Sequence, residues 1–319
     1  FCMCKFIGID ISKQTFDVSF LENGKWHHQV LENKTIGFKK LAKILNSEVW
    51  VVMEASGSYY LPLAEYLAGI GIKVSVVNPL VIKRFSQTNL YRAKTDKKDA
   101  QTIAEYAEKY ELKKWSPESE NAKKLRQLYT RIEILRKQNH QNRRQLEAFS
   151  ASGFLDNILK NEIKSSIKFL ENKIKKLENE MNRISLEEYS ETMENLQSIP
   201  GVGKQTAMMM CLITNNFEKF NHYKQLIAFV GFSPRIYQSG TSLKGRGHIC
   251  KMGKSQIRKL LYLCSWSAKR WNKTCKEMYE RLKEKGKPER VIKIAIANKL
   301  IKQIFAIGKS KEKYQPNFC

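Results

Sequence analysis

Apolar and polar positions follow three different rhythms along the chain, and each predicts a different kind of structure. From residue 5 to about 112 the rhythm switches between strand-like and helix-like every few residues. Lys5–Ile11 is a short apolar strand and Thr15–Leu21 a second. The turn Glu22-Asn23-Gly24-Lys25 then leads into a third, Trp26–Leu31, so the opening predicts a hairpin meander. Thr35–Leu45 carries Ile36, Leu41, Ile44 and Leu45 at helical spacing. Val49–Met53 predicts a buried strand, Tyr59–Ala68 a helix and Lys73–Val77 another apolar strand. Thr95–Tyr110 follows as a helix with Ile103, Ala104, Ala107 and Tyr110 on its apolar side.

In the middle of the chain the steps lengthen to three and four. Leu125, Leu128, Ile132 and Leu135 lead through Asn139 and Asn142 to Leu146 and Phe149. After a break at Ser150-Ala151-Ser152-Gly153 the pattern resumes at Ile163, Ile167, Leu170, Ile174, Leu177, Met181 and Ile184. Two heptad helices joined by a short break predict an antiparallel coiled-coil hairpin, unless a second protomer fills the seam. In that case the two Asn residues would fix register. From about Met193 the sequence predicts globular structure again. Ile199-Pro200-Gly201-Val202-Gly203 opens a helix through Lys204, Gln205, Thr206 and Ala207. Phe217–Phe232 is helix and turn, and a polar loop from Ser233 to Gly240 follows. Residues 255–306 form two basic helices with apolar faces, and the last dozen residues look frayed.

Three antiparallel strands followed by alternating helices and parallel strands is the order of an RNase H-like sheet. The expected class is therefore α/β plus α: an RNase H- or RuvC-like mixed-sheet domain over 1–114, a coiled-coil hairpin over 115–190, a mostly helical domain over 191–306 and a tail over 307–319. Composition changes the picture in one respect. Lys and Arg number 57 against 31 Asp and Glu, a net charge of +26. So large an excess is self-repelling unless a polyanion offsets it, and nucleic acid is the obvious one. A lysine-rich proteome would give basic surfaces without that meaning. The seven cysteines are odd in number, irregular in spacing and without a C-x-x-C pair, which predicts reduced thiols rather than a disulfide framework or structural zinc. With no run of 18 apolar residues and no signal-peptide pattern, the chain is expected in the bacterial-type cytoplasm, with no membrane partner.

Candidate chemistry collects in the first rhythm. Asp10 closes the first strand and Glu54 the Val49–Met53 strand. Neighbouring strands would set those ends about 5 Å apart. Asp96 and Asp99, three residues apart at a helix start, share one face. Singly, each acid could be a turn former or a complement to the helix dipole. Together they predict a site for two Mg²⁺ ions, which would clamp the attacking and leaving oxygens of a phosphoryl transfer. In the third rhythm, the Gly201-Val202-Gly203 turn ahead of Lys204 is a helix-hairpin-helix form that offers backbone N–H groups to a phosphate. Arg235, Lys244, Arg246, Lys251, Lys254 and Arg258 extend a basic path beyond it.

Gly8-Ile9-Asp10-Ile11-Ser12-Lys13, Met53-Glu54-Ala55-Ser56-Gly57 and Lys94-Thr95-Asp96-x-x-Asp99-Ala100 resemble the four-acid motif of DEDD insertion-sequence transposases and the related Piv invertase. Residues 196–262 resemble that family's C-terminal domain through Ile-Pro-Gly-Val-Gly, Phe-x-Gly-Phe-Ser-Pro-Arg and Ser239-Gly240. The resemblance covers nearly the whole chain in order. It implies a DNA transposase or recombinase with Mg²⁺ (Mn²⁺ substituting) at Asp10, Glu54, Asp96 and Asp99, and a serine nucleophile at Ser239. As partners it implies donor and target DNA, a homo-oligomer (dimer or tetramer) and, in some members, a structured guide RNA. Without the resemblance Ser239 is a turn residue like Ser233 and Ser242. The competing expectations are a RuvC-like junction nuclease, which needs only the acids and a metal-bound water, and a non-catalytic nucleic-acid-binding coiled coil.

Overall fold

A computed structural model describes residues 5–89, 95–235, 238–239, 243–244 and 248–316. It divides into two compact units, Phe1–Pro117 and Glu118–Cys319. The first is built on a five-stranded mixed sheet. Strands β1 (Phe6–Ile11), β2 (Thr15–Glu22) and β3 (Lys25–Glu32) form the antiparallel meander. Helix α1 (Thr35–Ala42) leads to β4 (Trp50–Glu54), and α2 (Leu61–Gly69) to β5 (Lys73–Val77). The strand order is β3-β2-β1-β4-β5, with β4 parallel to both β1 and β5, an order consistent with an RNase H-like domain.

Two helices then complete the unit. Helix α3 (Pro79–Thr88) is absent from the sequence-based expectation. Asn78 caps it, its side chain accepting from the Leu80 amide at 2.9 Å, and Pro79 takes the first-turn position where a missing N–H costs nothing. Helix α4 (Asp96–Lys109) starts at Thr95, whose hydroxyl accepts from the Lys98 amide at 3.2 Å. Both sheet faces are covered. Ile7, Ile9, Phe16 and Val18 lie buried with Phe38, Leu41 and Leu63 in one cluster, and Val52 and Val77 with Ile82, Ile103 and Ala107 in another.

The second unit opens with two long helices, α5 (Glu120–Ala151) and α6 (Asn157–Gln197), capped by Ser119 and Asp156. They run antiparallel against each other within the chain. As numbering rises along α5 its partners fall along α6: Asn121 with Glu188, Arg136 with Glu178 at 2.5 Å, and Arg143 with Glu171. The seam expected from the heptads is the contact between them, with Leu125, Ile132, Leu135, Ile163, Met181 and Ile184 buried. Asn139 sits half-buried in that seam with an unpartnered Oδ1. Helix α6 departs from helical geometry at Tyr189 and continues to Gln197.

Next come α7 (Lys204–Thr214) and α8 (Tyr223–Val230). Around the expected polar loop two pairs of short strands are described. In the first, β6 (Pro234–Arg235) meets β9 (His248–Ile249); in the second, β7 (Gln238–Ser239) meets β8 (Leu243–Lys244). Three helices, not the expected two, follow: α9 (Ser255–Trp271), α10 (Lys273–Glu284) and α11 (Glu289–Ser310). Asn272 makes the difference. It ends α9 and caps α10, its side chain accepting from the Cys275 amide. The expected frayed tail is corrected too. Residues 307–310 belong to α11, and residues 311–316 are tied to the end of α6. There Asn195 Nδ2 donates to the Lys311 carbonyl at 2.8 Å, the Tyr314 backbone N–H donates to Ser198 Oγ at 2.8 Å, and Lys313 pairs with Glu194 at 2.6 Å.

Candidate active site and nucleic-acid surface

Gly8 is the reason the acids can approach one another. A Cβ there would lie 2.1 Å from the Ala100 carbonyl oxygen and 2.4 Å from the Ala104 nitrogen, so only glycine lets α4 lie directly on β1. Asp10 is two residues further along and so faces the same side. Glu54 ends β4, one residue beyond the Ile9–Met53 pair, and its carboxylate accepts from Ser56 Oγ at 3.1 Å. Asp96 and Asp99 occupy the first turn of α4, which is the end that reaches this edge.

The electrostatics register this gathering. Burial pushes the Asp10 carboxyl up to about 6, and the charges of Asp99, Glu54, Asp96 and Asp17 push it the same way. Asp17 is a member that sequence reasoning missed. It pairs directly across from Asp10 in the β1–β2 register, it is buried, and its Oδ1 stands 2.7 Å from His28 Nε2. The signal was the short turn at Ser12–Gln14, which puts residues 10 and 17 opposite each other.

Carboxylate oxygens are the donors that Mg²⁺ prefers, and a divalent cation would cancel the repulsion that Asp10 feels. The donor set therefore fits such an ion. As the side chains stand, no three His, Cys, Asp or Glu among the described residues gather closely enough to clasp one, so an ion would have to draw them together.

The second unit carries the other expected site residues. Ser239 lies on β7, paired with Leu243, while its side chain and that of Lys244 lie outside what the structure describes, as does Arg246 altogether. Gly203 and Lys204 are exposed at the start of α7, where no side chain caps the helix, and an open depression of about 560 Å³ adjoins them. Gly201 has a packing task. With φ of +102° its missing side chain makes room for Ala268 of α9, which a Cβ would meet at 2.8 Å. Arg258 likewise serves the fold, its Nη1 donating to the Val230 carbonyl at 2.7 Å beside the turn at Gly231. Arg235, Lys251 and Lys254 are exposed. Cys211, Cys250, Cys264 and Cys275 are free thiols, and burial pushes the Cys211 thiol up to about 12. No helix among the described residues is long and apolar enough to cross a membrane.

Comparison with known proteins agrees with both halves of the chain. Residues 7–152 match a family model described as transposase, and residues 193–280 one described as the transposase IS116/IS110/IS902 family. The pilin gene-inverting protein of Moraxella lacunata is 31% identical over 316 residues, covering 95% of each chain. That of Moraxella bovis is 29% identical over 312 residues with the same coverage. The transposase for insertion sequence element IS1111A of Coxiella burnetii is 24% identical over 343 residues, covering 98% of this chain and 91% of that one.

Proposed function

The chain belongs to the IS116/IS110/IS902 family of transposases, and from that premise we propose that it cuts and rejoins DNA with its carboxylate edge and Ser239. The carrying observation is the convergence of negative charge on Asp10 from β2, β4 and α4, beside a glycine that lets α4 lie on β1. A protein that merely binds nucleic acid has no use for acids gathered there, because they repel the phosphates it holds.

In this reading Asp10, Glu54, Asp96 and Asp99 would hold Mg²⁺, as two ions, and Mn²⁺ would be able to replace it. The metal, when bound, neutralises charge on the phosphate under attack. Ser239 Oγ attacks phosphorus, so a serine–phosphorus bond forms. The bond to one deoxyribose oxygen breaks, and that oxygen leaves as a hydroxyl, the proton it gains balancing the one the serine hydroxyl gives up. Lys244 lies on the strand paired with that of Ser239 and Arg235 stands four residues before it in sequence, and both would offset the extra negative charge of the transition state. The N–H groups at Gly203 and Lys204 hold a backbone phosphate without reading bases, while Arg246, Lys251 and Lys254 extend the basic path. The partners in this reading are donor and target DNA and further copies of the chain, as a dimer or tetramer.

The test separates chemistry from binding. Asp10→Ala, Glu54→Ala, Asp96→Ala and Asp99→Ala should each reduce strand cleavage by roughly 10²-fold or more, as loss of a charge-stabilising group does. DNA affinity should stay near wild type, since it comes from phosphate contacts elsewhere. Full cleavage in EDTA, or an acid variant that cuts normally, would sink the reading.

A further inference from the structure

One face of α9 has no part in the reading above. The helix carries Arg258, Lys259, Lys269 and Arg270 and no acid. Lys259, Leu263, Trp266 and Arg270 step by four, three and four, so they share one face, and all are exposed. The row covers about 16 Å of helix at 1.5 Å per residue. Leu263 and Trp266 lie side by side on this face, and neighbouring exposed apolar side chains on a basic surface mark a place for a partner that is both flat and anionic.

Trp266 is a surface residue whose ring is in contact with a buried cation. Its side chain is 48% exposed, yet Lys293 Nζ lies 3.2 Å from the ring centroid. Lys293 is itself only 4% exposed and is fixed by Glu289 at 3.2 Å. The same carboxylate accepts from Lys269 Nζ at 2.9 Å and Tyr279 Oη at 2.8 Å, contacts that hold it down at about 2. Lys269 Nζ also lies over the ring, 5.9 Å from its centroid, so two ammonium groups flank an indole that stays half exposed. A ring flanked in this way loses little entropy when something stacks on it.

We propose that this face of α9 is a stacking platform for an unpaired DNA strand, with a base on the exposed part of the Trp266 ring and its flanking phosphates on Lys259 and Arg270. It rests on the reading that DNA is the substrate and adds the strand state and the residues that hold it. Paired bases have both faces covered by their neighbours, so the platform selects a base that has left the stack. A second copy of this chain is the other conceivable occupant, but each copy carries +26, and docking would bury these cations against more of the same sign. DNA strand exchange must pass through unpaired ends, which gives such a platform a task.

The experiment measures fluorescence anisotropy of a labelled twelve-nucleotide oligothymidylate, the matching duplex and the matching RNA strand. Trp266→Ala should weaken oligothymidylate binding about five- to hundred-fold, the range for losing one stacked base, and change duplex binding little. Trp266→Phe keeps a flat ring and should retain most of the affinity, which guards against a folding defect in the alanine variant. Equal oligothymidylate binding by wild type and Trp266→Ala, an equal loss on duplex, or a lower mass for Trp266→Ala by light scattering overturns the proposal. RNA binding that is tighter than DNA binding and more sensitive to Trp266 overturns the assignment to DNA. None of these readouts needs cleavage, so failure of the carboxylate chemistry would appear in a different assay.

Discussion

At the scale of single residues, Gly8 and Asp10 show two opposite demands met on one strand. Gly8 gives up its side chain so that α4 can close. Asp10 keeps a charge that the closed site disfavours, with its carboxyl pushed up to about 6 by burial and by Asp99, Glu54, Asp96 and Asp17. The folded carboxyl therefore holds its proton at a pH where the unfolded one, at about 3.8, has lost it. Stability falls as pH rises through the window between those two values, and the full penalty is present above it. Asp10 is half-buried, so solvent screening reduces the penalty to an order of 1 kcal/mol. Asp10→Asn should therefore raise the melting temperature of the metal-free protein by a few degrees near pH 8 and by much less near pH 4. Mg²⁺ should stabilise wild type more than Asp10→Asn near pH 8. A thermal scan in which Asp10→Asn melts below wild type at both pH values would contradict this account. The four motif acids were visible in the sequence because their spacing matches strand ends and a helix start. Asp17 was not, because its place opposite Asp10 depends on the register of a turn.

At the scale of elements, the α5–α6 pair shows what periodicity transmits well. Its steps of three and four encode one contact face, and two such faces of similar length close on each other. Leu177 packs at the edge of the second unit's core and Leu170 lies half-buried further out on the pair. Replacing both by Asp puts carboxylates into that seam with no hydrogen-bond partner designed for them. The double variant should lose helicity by far-UV circular dichroism, shrink as an oligomer by light scattering, or both. Unchanged helicity together with unchanged mass would show that the seam carries neither role. The strands of the mixed sheet were equally legible, since Val49–Met53 is a continuous apolar run and Lys73–Val77 carries three valines around Ser75. Helix α3 was missed because Asn78-Pro79 suggests a turn until the Asn is seen to cap and the Pro to start a helix. The Asn272 junction hides for the same reason, since one residue ends α9 and begins α10 without a glycine or proline. The tail looked frayed because its ties, Asn195 to Lys311 and Ser198 to Tyr314, cross more than a hundred residues and leave no local pattern.

At the scale of the whole molecule, the acids and Ser239 belong to different compact units, each with its own core. That division allows the two chemistries to be tested apart. If the acids act alone with water, the protein is a hydrolytic nuclease and the second unit serves only to hold DNA. If Ser239 attacks, each cut leaves a phosphoserine ester, so quenching the reaction with denaturant should trap a protein–DNA adduct. Water attack leaves none. Ser239→Ala should then lose both adduct and strand exchange, while Ser233→Ala and Ser242→Ala keep both. The stability of the acid-bearing unit should not change in Ser239→Ala, because that unit packs its own sheet and helices. The excess of 57 basic over 31 acidic residues should keep DNA affinity high in every one of these variants and make it fall with salt in parallel, since the phosphate contacts are untouched. Loss of cleavage with unchanged salt-dependent binding therefore isolates the nucleophile. Wild-type cleavage by Ser239→Ala, with no adduct from either protein, would transfer the attack from the serine to water and leave the carboxylate edge as the entire active site.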